Sequence, residues 1–94
     1  MKRILIFFGG CSTEYAVSLE SASAVLTHLD QSQYQALMVG ITREGKWLYY
    51  TGQAEKIADD SWQETHCVPC TLIADRGARQ LLLLDGTNQR LDFD

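Results

Sequence analysis

Basic residues are scarce in this 94-residue sequence, and its eight lysines and arginines are scattered rather than clustered. Twelve acidic residues give the chain a formal net charge of −4. Nucleic acids require clustered positive charge to neutralise phosphates, and anionic membrane surfaces attract proteins in the same way. The sequence therefore predicts a protein that binds neither nucleic acid nor a membrane.

Long apolar runs are missing as well. A membrane-spanning helix needs about 18 or more consecutive apolar residues, and no stretch of the chain approaches that length. The opening MKRILIFFGG has the basic pair of a secretory signal, but its apolar run is too short and no small-residue cleavage site follows. We therefore expect a cytoplasmic chain in which Ile4 to Phe8 forms a strand buried on both faces.

Cysteine is limited to Cys11, Cys67 and Cys70, an odd number that does not favour a disulfide framework. The CVPC motif could be a redox pair or half of a zinc site. A redox CxxC opens a helix, whereas the residues after Cys70 predict a strand. Zinc would need two further ligands, for which the chain offers His28 and His66. We expect reduced cysteines that are structural or incidental.

The first half of the chain predicts an α/β fold. Apolar residues at helical spacing predict an amphipathic helix over about 17–29, and the apolar segment 34–41 predicts a second buried strand. Strand, helix and strand in this order predict a right-handed βαβ unit with parallel strands. The expected apolar face of the helix consists of Leu19, Ala22, Val25, Leu26 and Leu29.

The second half predicts antiparallel strands. Glu44 and Gly45 form a tight-turn signal before the aromatic run 47–50, which predicts a hairpin beside the second strand. Residues 52–65 have few apolar positions and predict a short surface helix or an irregular segment. Three short strands that complete an antiparallel meander are expected at 71–74, 80–84 and 88–93.

The turn Gly9–Glu14 lies where open α/β folds bind ligands, at the carboxyl edge of a parallel sheet. GGCSTE lacks the GxGxxG spacing of a dinucleotide site and the lysine of a phosphate loop. Glu14 instead suits a cationic group, because its carboxylate can accept a charge-assisted hydrogen bond from a substrate ammonium. Alternatively, Glu14 only complements the helix dipole. The residues by themselves leave both interpretations open.

The stretch ILIFFGGCSTEYAVSLESASAVL closely resembles the opening of D-alanine–D-alanine ligases and their vancomycin-resistance relatives. In that family the first strand runs into a Gly-Gly, Ser, Glu and Val-Ser motif, followed by a helix rich in Ser and Ala. YQALMVGITREGKWLYYTG is similar to the segment that follows in the family. The combination is nearest to the VanG-type D-alanine–D-serine ligases, and the resemblance is good over residues 4–62 and loose beyond.

The resemblance implies a Rossmann-like pre-ATP-grasp domain that spans residues 1–94 and is the N-terminal lobe of a longer peptidoglycan ligase. Glu14 would be the family's catalytic glutamate, which holds the ammonium of the first D-alanine. Val17 would line the pocket for its methyl group, and Gly9, Gly10 and Ser18 would complete this wall of the substrate site. Ala16 departs from the family, because many members carry an acidic residue there.

The enzyme implied by the resemblance uses ATP and magnesium, whose binding residues would lie outside this chain. The expected partners are D-alanine, a second D-amino acid that is D-alanine or D-serine, and the remainder of the ligase. An unfinished strand near Phe93 also predicts edge-to-edge pairing and a homo-oligomer. Two other interpretations remain: a free-standing module that binds a small molecule at the Gly9–Glu14 turn, and a non-catalytic assembly domain.

Overall fold

The computed structural model describes residues 1–11, 13–73, 75 and 77–94, which form six strands and two α-helices. A single turn of 3₁₀ helix at Trp62–Glu64 precedes the fourth strand. The elements in chain order are β1 (Lys2–Gly9), α1 (Tyr15–His28), β2 (Tyr34–Ile41), β3 (Trp47–Tyr50), α2 (Ala54–Ala58), β4 (Cys67–Leu72), β5 (Gln80–Leu83) and β6 (Arg90–Asp92).

The strands form one sheet in the order β1-β2-β3-β4-β5-β6. β1 and β2 are parallel, in register from Lys2 opposite Tyr34 to Gly9 opposite Ile41, and the other neighbours are antiparallel. The prediction of a parallel βαβ core with an added antiparallel meander is confirmed. Because parallel strands end at the same edge, Gly9 and Ile41 lie side by side just before α1 begins.

β1 is buried unequally on its two faces. Alternate side chains of a strand point to opposite faces, and Phe8 is 1% exposed whereas Phe7 is 42% exposed. Phe8 packs on the face covered by α1, while Phe7 meets Trp47 edge to face with ring centroids 5.1 Å apart. The expectation of full burial on both faces is therefore wrong.

α1 begins two residues earlier than predicted, at Tyr15. Its buried residues are Tyr15, Leu19 and Ala22, and Leu26 packs against the same core. This spacing of four, three and four residues defines a narrow stripe. Val25 lies beside the stripe and is 46% exposed, so its expected place on the apolar face is wrong.

The segment 52–65 is mostly exposed and contains a short helix, α2, as the sequence predicted, followed by the 3₁₀ turn. Each of these inserts one side chain into the core, which the sequence did not predict: Ile57 is 0% exposed and Trp62 is 1% exposed. The indole of Trp62 packs against Phe8 with ring centroids 4.8 Å apart. Gly40 of β2 makes this possible, because a Cβ there would lie 2.3 Å from the Trp62 ring.

β4 begins four residues before its predicted start, so the CVPC motif is strand. Pro69 is the last β4 residue paired with β3, and Cys70 is the first paired with β5. Proline has no backbone N–H to donate to a neighbouring strand, so it is tolerated where the strand changes its pairing partner. The predicted strand extended to Ala74, which lies outside the described residues.

The last two strands are shorter than predicted, at Gln80–Leu83 and Arg90–Asp92. β6 ends the sheet, but the chain after it is hydrogen-bonded. The Phe93 N–H donates to the Arg79 carbonyl at 2.9 Å, and the Asp94 N–H donates to the Arg3 carbonyl of β1 at 2.8 Å. The expectation of an unfinished, free strand near Phe93 is therefore only partly met.

The sheet separates two hydrophobic cores. The first lies under the helices and contains Phe8, Leu19 and Trp62. The second lies on the other face and contains Val39, Cys70 and Leu81. Within the part of the chain that the structure describes, neither helix has the length and apolar character that crossing a membrane requires.

Candidate functional site

The turn between β1 and α1 is fixed by two backbone donors. The Gly10 N–H donates to the Ile41 carbonyl at 2.7 Å, which extends the contact between β1 and β2 past the strand ends. The Gly9 N–H donates to Ser18 Oγ at 2.9 Å, which ties the end of β1 to the first turn of α1. The turn is therefore held at the carboxyl edge of the parallel pair, as the sequence predicted.

The two glycines of the turn have different roles. Both have positive φ, +84° for Gly9 and +109° for Gly10. A Cβ at Gly9 would lie 2.2 Å from the Ile41 carbonyl oxygen, so the neighbouring strand alone requires glycine at this position. A Cβ at Gly10 would have no atom of the described residues within 4 Å. Gly10 therefore leaves an open side to the turn.

Glu14 occupies the N-cap position of α1 and is exposed. Its carbonyl accepts the Ser18 N–H at 2.9 Å, whereas its carboxylate makes no capping hydrogen bond to the helix. The Glu14 side chain therefore does not have the capping role that side chains at the N-cap position usually have. The carboxylate remains within the positive end of the helix dipole.

Val17 and Ser18 face different surroundings. Val17 is 56% exposed and lies three residues after Glu14, which places both on one side of the first turn of α1. Ser18 is half-buried and uses its oxygen to accept the Gly9 N–H. Glu14 and Val17 are thus both exposed at the start of α1, and Ser18 contacts the turn itself.

Tyr15 is a residue of this region that the sequence interpretation missed. Its ring is 1% exposed. Its hydroxyl donates to Asp60 Oδ1 at 2.7 Å and accepts from Trp62 Nε1 at 3.2 Å and Gln63 Nε2 at 3.1 Å. Burial raises the pKa of the phenol, and the hydrogen bond to Asp60 raises it further. Tyr15 is therefore a neutral donor at physiological pH.

The turn between β2 and β3 lies beside the glycine turn. Thr42 and Lys46 close it: the Thr42 N–H donates to the Lys46 carbonyl at 2.8 Å, and the Lys46 N–H donates to Thr42 Oγ1 at 3.0 Å. The Arg43 guanidinium lies 4.0 Å from the centroid of the Tyr15 ring, a cation–π contact. The family resemblance includes this turn but implies no role for its residues.

Cys67 and Cys70 pack in the two hydrophobic cores. All three cysteines are free thiols. Cys67 packs against the core under the helices, and Cys70 belongs to the core on the other face of the sheet. Burial raises the pKa of both thiols, that of Cys70 to about 11. A redox pair requires adjacent sulfurs with a lowered pKa, and this arrangement provides neither.

No set of three His, Cys, Asp or Glu side chains is placed to hold a metal ion within residues 1–11, 13–73, 75 and 77–94. The Gly9–Glu14 turn also carries no lysine for a phosphate. The chemistry that the described residues offer at this edge is a carboxylate beside open backbone, which suits an ammonium group.

A model of the family described as D-ala D-ala ligase N-terminus matches residues 3–93. The D-alanine–D-alanine ligase of Caldicellulosiruptor bescii is 36% identical over 93 residues, which are 98% of this chain and 25% of that protein. The vancomycin C-type resistance protein VanC1 of Enterococcus gallinarum is 39% identical over 66 residues, which are 70% of this chain and 19% of that protein.

Solved structures give the same result. The VanG D-Ala:D-Ser ligase from Enterococcus faecalis superimposes with a TM-score of 0.91 and 37% identity, over 99% of this chain and 27% of that chain. The D-alanine–D-alanine ligase from Coxiella burnetii superimposes with a TM-score of 0.78 and 26% identity, over 99% of this chain and 26% of that chain. The chain thus spans about a quarter of the length of these proteins.

Proposed function

Because the chain belongs to the D-alanine–D-alanine ligase N-terminus family, we propose that it is the N-terminal lobe of an ATP-dependent ligase. The complete enzyme joins D-alanine to a second D-alanine or to D-serine for peptidoglycan synthesis in the cytoplasm. The observation that carries this proposal is the match over residues 3–93, which includes β1 from Arg3 onward, the glycine turn and α1.

In this proposal Glu14 holds the ammonium of the first D-alanine. Its position supports the role, because Glu14 is exposed at the start of α1, directly after the glycine turn. The open side of Gly10 gives the amino acid room to approach, and Val17 contacts its methyl group from the same side of α1. Gly9 and Ser18 hold the turn in place.

ATP and magnesium would bind to the rest of the ligase. The described residues do not suit them, because no metal-binding set is present among them and the glycine turn has no lysine. When bound, these cofactors would activate the carboxylate of the first D-alanine by phosphorylation. This lobe would contribute one wall of the amino-acid site, and the rest of the chain, D-alanine and a second D-amino acid would be its partners, within a homo-oligomer.

The first test is Glu14→Gln in the full-length ligase. Loss of the charged hydrogen bond should lower kcat/KM for D-alanine by about 10- to 1000-fold, which is about 1.4 to 4 kcal/mol. The folding of the protein should be unchanged. The measurement is ADP release at subsaturating D-alanine, repeated with D-serine as the second substrate.

Glu20→Gln is the matched control, because Glu20 is an exposed glutamate of the same helix, six residues from Glu14. It removes the same charge and should change kcat/KM by less than about 2-fold. Equal kinetics for Glu14→Gln and the unmodified enzyme would contradict the proposed role of Glu14.

A further inference from the structure

Tyr15 links the glutamate turn to a distant segment of the chain. It directly follows Glu14 and is the first residue of α1. Its three hydroxyl partners come from residues 60–63, between α2 and β4, which are 45 to 48 residues away in sequence. The hydroxyl thus donates one hydrogen bond and accepts two, which is the full hydrogen-bonding capacity of a phenol.

The partner segment is itself held in an unusual conformation. Asp60 has a φ of 64°, in the left-handed region that side chains other than glycine rarely adopt. Next to it, the Asp59 carboxylate accepts hydrogen bonds from the Ser61 N–H and the Ser61 hydroxyl. This local structure keeps Asp60 in a conformation that delivers its carboxylate to Tyr15.

The Tyr15 ring is also confined by the two turns at the sheet edge. Arg43 lies over the ring. A Cβ at Gly9 would lie 3.2 Å from Tyr15 Cε2, so the ring packs closely on the end of β1. Ring and hydroxyl are therefore both fixed, and the backbone that Tyr15 shares with Glu14 is fixed with them.

We infer that Tyr15 is a positioning residue for Glu14, anchored by Asp60, Trp62 and Gln63. The inference rests on the proposed function of Glu14. Because Tyr15 directly follows Glu14, fixing its ring and hydroxyl also fixes the backbone from which the Glu14 side chain projects at the start of α1. A catalytic or binding group that is misplaced by about 1 Å loses much of its effect, so the anchor of Tyr15 should contribute to the rate without touching substrate.

The test is a mutant cycle in the full-length ligase. Tyr15→Phe keeps the ring and removes the anchoring hydroxyl, and it should lower kcat/KM for D-alanine by about 3- to 30-fold. In the Glu14→Gln background the same change should have less than about a 2-fold effect, because Tyr15 acts through Glu14. A merely structural hydroxyl would not show this non-additivity.

Tyr50→Phe is the matched control. Tyr50 is also buried, at 2% exposed, and its hydroxyl donates to the Gln53 carbonyl at 2.8 Å, in a contact that does not involve α1. It should leave kcat/KM within about 2-fold. All variants are assayed below their thermal unfolding transitions, as measured by circular dichroism.

Variants of Asp60 provide a second, independent test of the inference. Asp60 is exposed, so Asp60→Ala can be tested even if Tyr15→Phe does not fold. Asp60→Ala should reproduce the loss, and Asp60→Asn, which keeps an acceptor and tolerates positive φ, should restore activity to within about 3-fold. Full activity of Asp60→Ala would overturn the inference about Tyr15. A loss in Asp60→Ala or Tyr15→Phe that adds to the loss in Glu14→Gln would do the same. Neither result would contradict the proposed function. No loss in Glu14→Gln itself would overturn the proposed function.

Discussion

Gly9 and Gly10 show how two identical neighbours can serve different purposes. The sequence predicted that both allow close backbone approach. For Gly9 the approaching group is the Ile41 carbonyl of β2, whereas Gly10 is open on its Cβ side among the described residues. The stability of the fold should therefore depend on Gly9, and access to the site should depend on Gly10.

Gly9→Ala and Gly10→Ala separate these purposes. Both force a Cβ into positive φ, at about 1–2 kcal/mol each. Gly9→Ala also places that Cβ against a backbone oxygen, so we expect it to lose at least about 2 kcal/mol more than Gly10→Ala. Urea unfolding measures the difference, and equal midpoints for the two variants would contradict it.

The residues that could be predicted from sequence are those in local patterns. Glu14, Gly9 and Gly10 stand in one contiguous motif, and their spacing was sufficient to place them at the sheet edge. Tyr15 stands in the same motif, but its partners lie 45 to 48 residues away. No local pattern reveals which distant side chains will meet a buried hydroxyl, so its role required the structure.

At the scale of elements, the parallel pair β1–β2 and the meander were predictable because apolar runs and turn signals are local features. The errors lie where long-range packing decides. Trp62 enters the core because Gly40 provides space for its indole, and β4 begins early because Cys67 to Pro69 pair with β3. Neither the space nor the pairing can be inferred from the segments themselves.

β4 makes the fold sensitive to alkaline pH. The thiols of Cys70, which is buried, and Cys67, which is partly buried, have raised pKa values, with that of Cys70 at about 11. The unfolded chain ionises first, near the ordinary thiol pKa, so it binds fewer protons than the native state and stability falls as pH rises. The stability should be complete below about pH 8.5 and should fall by about 2 kcal/mol up to about pH 11.

Cys70→Val tests this dependence, because it keeps an apolar, strand-compatible side chain and removes the titrating thiol. Urea unfolding of both proteins at pH 7, 9 and 11 gives the slopes. The variant should lose less stability between pH 9 and 11 than the parent chain. Identical slopes would show that the Cys70 thiol does not control the alkaline transition.

At the scale of the whole molecule, the chain has two cores but only part of the proposed amino-acid site. Its relatives are about four times longer, and the match to VanG covers 27% of that chain. A small zwitterion needs contacts to nearly all its atoms to bind even at micromolar concentration. The wall proposed for Glu14, Val17 and Gly10 is therefore expected to be too small to bind D-alanine alone.

We therefore expect residues 1–94, expressed alone, to fold and to be catalytically silent. The two cores should give a cooperative thermal transition, while ATP, magnesium and D-alanine should yield no ADP above the blank. β1 and β6 border the sheet, so light scattering should detect dimers or larger species. ADP formation would contradict the first expectation, and a monomeric mass at high concentration would contradict the second.

The change of partner at Pro69 has a consequence for the motions of the fold. Along the sheet, the β5–β6 hairpin pairs with the last three residues of β4. Asp94 after it also hydrogen-bonds Arg3 of β1, and Leu81 belongs to the same core as Val39 of β2. A subglobal opening of the hairpin must therefore break contacts to β1 and β2 as well as to β4. Because β1 runs directly into the turn before Glu14, we expect loosening of the C-terminal hairpin to reach that turn.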